Sequence, residues 1–130
     1  MATARSRIAK GRNFQSVIRD RIQECFQLDS DAIRTAIGSE TGADIKLTSQ
    51  EAREKVGLAL ECKNVQSLSI WKALDQAKAH AKGTNLIPTL IFHRSISGNR
   101  DVWVTIPIEH YLELRKELLE LKEQNKGKNE

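Results

Sequence analysis

Apolar positions recur along this chain with two different periods, and each change of period marks a new element. Over residues 11–27, Phe14, Val17, Ile18, Ile22, Cys25 and Phe26 return every three or four positions, the stripe of an amphipathic helix with charge on its far side. Asp29 to Asp31 breaks it. Residues 32–37 read as a short strand, 38–42 as a loop and 44–48 as the next strand. The polar stretch 49–55 is a turn or a single helical turn, and 56–63 is a third, well-buried strand. A helix from Ser67 or Ser69 to about Lys82 presents Ile70, Trp71, Leu74, Ala77 and Ala81 on its apolar side, and Gly83 and Asn85 end it. Residues 86–93 form an apolar strand in which Pro88 belongs to the first residues or to a bulge. Gly98-Asn99 tips the turn over 95–101, and the alternation of 102–106 completes a hairpin. Pro107 opens a last helix, with Glu109 in its first turn, that runs to about Gln124. The order α-β-β-β-α-β-β-α predicts one α/β domain, a central mixed sheet flanked by helices. No repeat or low-complexity tract interrupts it.

Composition narrows the class. With 130 residues, 39% hydrophobic and 29% charged, the chain reads as a soluble globular domain with one modest core. No apolar run approaches the roughly 20 residues that span a bilayer. The basic start lacks the apolar stretch of a secretion signal. Two cysteines, Cys25 and Cys62, make no disulfide framework, and Cys62 inside a strand behaves as a small buried hydrophobe. These features point to a reducing, cytoplasmic setting.

The net charge of +4 is uneven. Residues 1–27 carry six Lys or Arg (Arg5, Arg7, Lys10, Arg12, Arg19, Arg21) against Asp20 and Glu24, whereas residues 28–130 carry 15 of each sign. The whole excess sits on the first helix and on a basic arm over residues 1–10. Such an arm suits a phosphate backbone through counterion release, and a solubilising tail is the plainer use of the same charge.

The segment from Gly42 to Asn64 carries the chemistry. Successive strand side chains alternate, so Glu61 and Lys63 emerge on one face and Cys62 on the other. If the strands over 44–48 and 56–63 pair, Asp44 comes close to Glu61. Two carboxylates and one ammonium then converge, a minimal set for holding a hard divalent cation beside a water. Ordinary strand-end charge is the alternative, although a Glu-x-Lys closing an apolar strand serves packing poorly.

With its flanks, this pattern resembles the PD-(D/E)xK nuclease superfamily, and within it the small Holliday-junction-resolvase-like and phage-type nucleases. The resemblance runs in order through Lys10-Gly11-Arg12-Asn13-Phe14, Gly38-Ser39-Glu40-Thr41-Gly42-Ala43-Asp44, Leu60-Glu61-Cys62-Lys63 and Ala73-Leu74-Asp75-Gln76-Ala77. It covers most of residues 8–106 and implies a restriction-endonuclease-like fold, with a nuclease domain over 11–124 and a frayed tail over 125–130. It also implies a Mg²⁺-dependent deoxyribonuclease, with Mn²⁺ as a substitute, acting as a homodimer on branched DNA or four-way junctions. In that reading Asp44 and Glu61 bind the metal, the backbone carbonyl of Cys62 is a third ligand, and Lys63 orients the attacking water. Gln76 faces the site from the following helix. Ser39 lies near the metal and the DNA, and Arg5, Arg7, Lys10 and Arg12 hold phosphates.

Competing uses exist for several of these residues: Gln76 as an exposed helical amide, and Ser39 and Glu40 as turn residues. The chain departs from the family in carrying Ala43 where proline is common and Gln15 where a glutamate often follows the aromatic. Glu24 or Glu40 would have to replace that carboxylate, so one Mg²⁺ is expected and a second is unproven. Other nuclease substrates (ends, nicks, single strands) and a catalytically silent nucleic-acid-binding module keep the same fold. His80, His93 and His110 lack metal spacing, with His93 read as a satisfied surface histidine. Gly38 and Gly42 match no phosphate loop. Trp71 and Trp103 have core spacing, and a partner-facing position for part of either ring is the alternative. Leu112, Leu114, Leu118, Leu119 and Leu121 surround more than one side of the last helix, more than one sheet face needs.

Overall fold

The computed structural model describes residues 3–128. Its elements are α1 (Ala4–Phe26), β1 (Ile33–Thr35), β2 (Ile45–Leu47), α2 (Gln50–Val56), β3 (Leu58–Val65), α3 (Ile70–Ala81), β4 (Ile87–Arg94), β5 (Val102–Thr105) and α4 (Ile108–Lys128). The five strands form one mixed sheet in the order β1-β2-β3-β4-β5. β3 and β4 are parallel and joined by α3, while the other neighbouring pairs are antiparallel. The α/β architecture and the order of elements agree with the sequence reading, with α2 as a full helix where a turn or one helical turn was expected.

The boundaries of the first and last helices differ more. Thr3 caps α1 by accepting from the Ser6 N–H, and the good helix formers Ala4, Arg5, Arg7, Ala9 and Lys10 follow it. Residues 4–10 are therefore the opening turns of α1 and not a separate arm; Met1 and Ala2 lie outside the described residues. α1 ends where Gln27 turns left-handed at φ 52° and donates its N–H back to Gln23 and Glu24. At the other end α4 continues through residues 125–128, where fraying was expected; Asn129 and Glu130 lie outside the described residues.

Two layers pack on the sheet. On one side the α1 stripe buries Phe14 and Ile18 against Ile33, Ile45, Leu60, Cys62 and Ile91, with Ala52 and Val56 of α2 closing the end. On the other side α3 buries only alanines, Ala73, Ala77 and Ala81. Small side chains at this spacing let the helix axis lie close to the sheet, which sets the reach of its neighbouring positions. Pro88 sits second in β4, where the sequence had it among the first residues.

Both tryptophans contradict their expected core placement: Trp71 is 77% and Trp103 60% exposed. Helical or alternating spacing marks a face, and among the described residues these two side chains stay largely uncovered. α4 departs in the same way, since every residue from Tyr111 to Gly127 is exposed. Among the described residues, no helix is long and apolar enough to cross a membrane.

Candidate metal centre

Ile45 pairs with Leu60 and both point into the α1-side core, so the adjacent Asp44 and Glu61 must point to the α3 side. Two contacts bind the end of β2 to β3. The Asp44 N–H donates to the Leu60 carbonyl at 2.9 Å, and the Cys62 N–H donates to Asp44 Oδ2 at 2.8 Å. Beyond Ile45 no further β2 residue covers β3, and the Asp44 carboxylate takes over the vacant pairing place. Within a strand the N–H and C=O of one residue point to the same edge. The Cys62 carbonyl therefore aims toward Asp44, as the ligand role implied by the resemblance requires. The Cys62 thiol lies on the opposite face, in the core, and burial pushes its pKa up, with Asp44 adding to the shift.

Glu61 is only 4% exposed. Lys63 Nζ lies 3.2 Å from Glu61 Oε1, so the Glu-x-Lys pair shares one face as its spacing predicted. Burial, reinforced by the charge of Asp44 and opposed by the pull of Lys63, raises the Glu61 carboxyl to about 7. Its other oxygen, Oε2, is buried without a hydrogen-bond partner. An unmade hydrogen bond on a buried acceptor costs about 1–3 kcal/mol.

His80 was not expected here. Its Nδ1 stands 3.0 Å from Glu61 Oε2, but the two groups are not aligned as a hydrogen bond and both atoms are orphaned. Burial lowers the pKa of His80, with Asp44 raising it and Lys46 and Lys63 lowering it again. Lys46 is the second missed residue: it shares the face of Asp44 two positions on, and its Nζ donates to the Thr41 carbonyl. The clue to His80 was its spacing of four from Gln76, which puts both on one face of α3. Gln76 is half-buried one turn from His80 and forms no side-chain hydrogen bond among the described residues.

The loop before Asp44 is arranged for structure. Glu40 receives a forked pair from Arg34, at 2.8 and 2.9 Å, and the Ile37 N–H at 3.1 Å. The Arg34 guanidinium holds the Glu40 carboxyl down at about 2. With its oxygens so engaged, Glu40 does not stand in for the missing family glutamate, and Glu24 is exposed on α1. Ser39 is exposed in the same loop. Gly42 has φ +94°, and a Cβ there would stand 2.6 Å from Lys46 Nζ. A side chain at this position strains the approach to Asp44.

The basic residues divide. Arg5, Arg7 and Arg12 are exposed, whereas Lys10 donates to Ser95 Oγ at 2.8 Å. Asn64, next to Lys63, reaches the Lys10 carbonyl at 3.5 Å, so α1 passes the end of β3 that carries Lys63. His93 is satisfied, as the sequence reading had it: Nδ1 meets Asn64 Oδ1 and Nε2 meets the Asn99 carbonyl, each at 2.8 Å.

Among the described residues no three His, Cys, Asp or Glu side chains group as a cage. The donor set is instead two carboxylates and a backbone carbonyl, all hard oxygens, with a buried carboxylate oxygen left unpaired. That set fits an oxygen-preferring divalent cation that keeps several waters, as Mg²⁺ does. No family model, no curated protein and no solved structure matches this chain.

Proposed function

We propose that this protein is a Mg²⁺-dependent endonuclease of the PD-(D/E)xK type that hydrolyses DNA phosphodiester bonds, with branched DNA and four-way junctions as its preferred substrate. The reading rests on one observation: Asp44, Glu61 and Lys63 converge on one face of the sheet beside an unpaired, buried oxygen of Glu61. The mixed sheet flanked by helices agrees with the restriction-endonuclease-like fold that the resemblance implies.

Asp44, Glu61 and the Cys62 carbonyl would hold Mg²⁺, or Mn²⁺ in its place. When bound, the cation supplies Lewis-acid polarisation of a phosphate oxygen. The chain's own residues do the rest. Asp44 is held in place by the Cys62 N–H. Lys63, 28% exposed, is placed to orient a water on its free side and to offset negative charge on the phosphate. Gln76 offers an amide from α3 toward the same face. The exposed arginines of α1 bind backbone phosphates, by charge and shape more than by base reading. Two free cysteines, Cys25 exposed and Cys62 buried, accord with a reducing cytoplasmic setting.

The test is incubation with Mg²⁺ and, in parallel, a four-way junction, a linear duplex and single-stranded DNA. Paired cuts confined to the junction support the whole reading. Cleavage of the other substrates keeps the centre and changes the substrate to ends, nicks or single strands. Binding without any cleavage moves the protein to a silent nucleic-acid-binding module.

The role of α1 has its own measurement. Arg5, Arg7 and Arg12 are replaced together by glutamine, because deleting residues 1–10 would cut into α1. The salt dependence of DNA binding should flatten by roughly 0.9 in the log–log slope per lost phosphate contact. An unchanged slope returns these arginines to a solubilising role.

A further inference from the structure

α4 leaves the body of the protein with its apolar residues uncovered. Tyr111, Leu114, Leu118 and Leu121 are between 40% and 57% exposed. With Asn125 they recur at spacings of three and four, the a and d positions of a heptad seam. The positions beside this seam are not random in charge. Arg115 and Lys122 occupy one flank (e), and Glu117 and Gln124 occupy the other (g).

We infer that α4 pairs with α4 of a second copy of this chain as a parallel two-stranded coiled coil. Parallel pairing brings each Glu117 opposite Lys122 of the other copy, the g-to-e pairing that sets orientation. Antiparallel pairing sets the Arg115–Lys122 flank against itself and Glu117 against Glu117. Asn125 at an a position points the same way, since one buried asparagine specifies register and two strands at some cost in stability. The seam is short, and more apolar surface lies beside it. Thr105 ends β5 three residues before α4 begins, so parallel helices bring the two β5 edges, with Trp103 and Val104, toward the two-fold axis. The inference stands without the nuclease reading, because its test is association and not cleavage.

The wild-type protein at tens of micromolar should show the mass of two chains by light scattering. Leu118→Glu places a charge in the seam and should weaken association by roughly 100-fold or more. α4 is outside the core, so the circular-dichroism signal of the body should persist. Glu117→Lys alone should weaken the dimer, and Glu117→Lys with Lys122→Glu should restore it, a rescue that misfolding does not mimic. In a Cys25→Ser background, Asn125→Cys should cross-link two chains on mild oxidation. In an antiparallel pair centred on Leu118 the two positions would be about 20 Å apart and would not. A wild-type monomer overturns the inference, as does a dimer indifferent to Leu118→Glu. A dimer that fails to cross-link overturns the parallel arrangement.

Discussion

Asp44→Asn is expected to lower Mg²⁺-dependent DNA cleavage by about 10³-fold or more, the worth of several kcal/mol of metal-assisted charge stabilisation. DNA binding should be unchanged or slightly tighter. The substitution isolates charge from structure. Asparagine keeps an oxygen to accept the Cys62 N–H that Asp44 Oδ2 accepts at 2.8 Å, so the junction of β2 and β3 survives. What disappears is one of the two anions facing the cation and the phosphate. Single-turnover cleavage beside a binding titration separates the two effects. Cleavage at the wild-type rate by this variant would sink the metal-centre assignment.

Glu61→Gln should change stability, by an amount that depends on pH. Burial, reinforced by Asp44, raises the Glu61 carboxyl from the ordinary 4.5 to about 7. A carboxyl with a raised folded-state pKa favours the fold when protonated. Its contribution is complete below pH 4.5 and is lost as pH rises through about 7. Glu61 by itself should therefore cost the metal-free wild-type protein on the order of 2 kcal/mol, several degrees in Tm, between pH 5 and pH 8. Glu61→Gln has no proton to lose there and should not show that loss.

His80 pulls the other way, because burial lowers its pKa and stability falls as it becomes protonated below its ordinary 6.5. The informative quantity is thus the difference between wild type and Glu61→Gln at each pH, measured by thermal melting in a chelator. Adding Mg²⁺ or Mn²⁺ should restore wild-type stability at pH 8. It should do little at pH 5, where protons compete for the same oxygens, and little for Glu61→Gln at either pH. A difference between wild type and Glu61→Gln that is flat from pH 5 to pH 8, with neither cation changing it, would mean that burial does not raise the Glu61 carboxyl and that no cation binds it.

Charge relations inside the site explain why these two residues respond so differently. Asp44 is tied by a backbone donor at the end of a strand, whereas Glu61 is enclosed among α3, β3 and β4 with one ammonium for company. A bound cation would supply the positive charge that Lys63 alone supplies in its absence. The orphaned Glu61 Oε2 and His80 Nδ1, 3.0 Å apart, lie in the same enclosure.

What the sequence by itself determined is the set of elements and the faces within them. Helical spacing of Phe14 and Ile18 identified the buried stripe of α1, and strand alternation put Glu61 and Lys63 on one face with Cys62 on the other. These are local properties, set by backbone periods of 3.6 and 2 that any contiguous stretch displays. Distances between elements are not local. That Asp44 reaches the Cys62 N–H depends on Ile45 pairing with Leu60 across the intervening α2, and a one-residue slip would turn Asp44 to the core face. That His80 meets Glu61 depends on α3 lying close to the sheet on its alanines. The same limit explains Trp71, Trp103 and α4: their spacing defined apolar faces, but only the packing of the chain decided that the described residues leave them largely exposed.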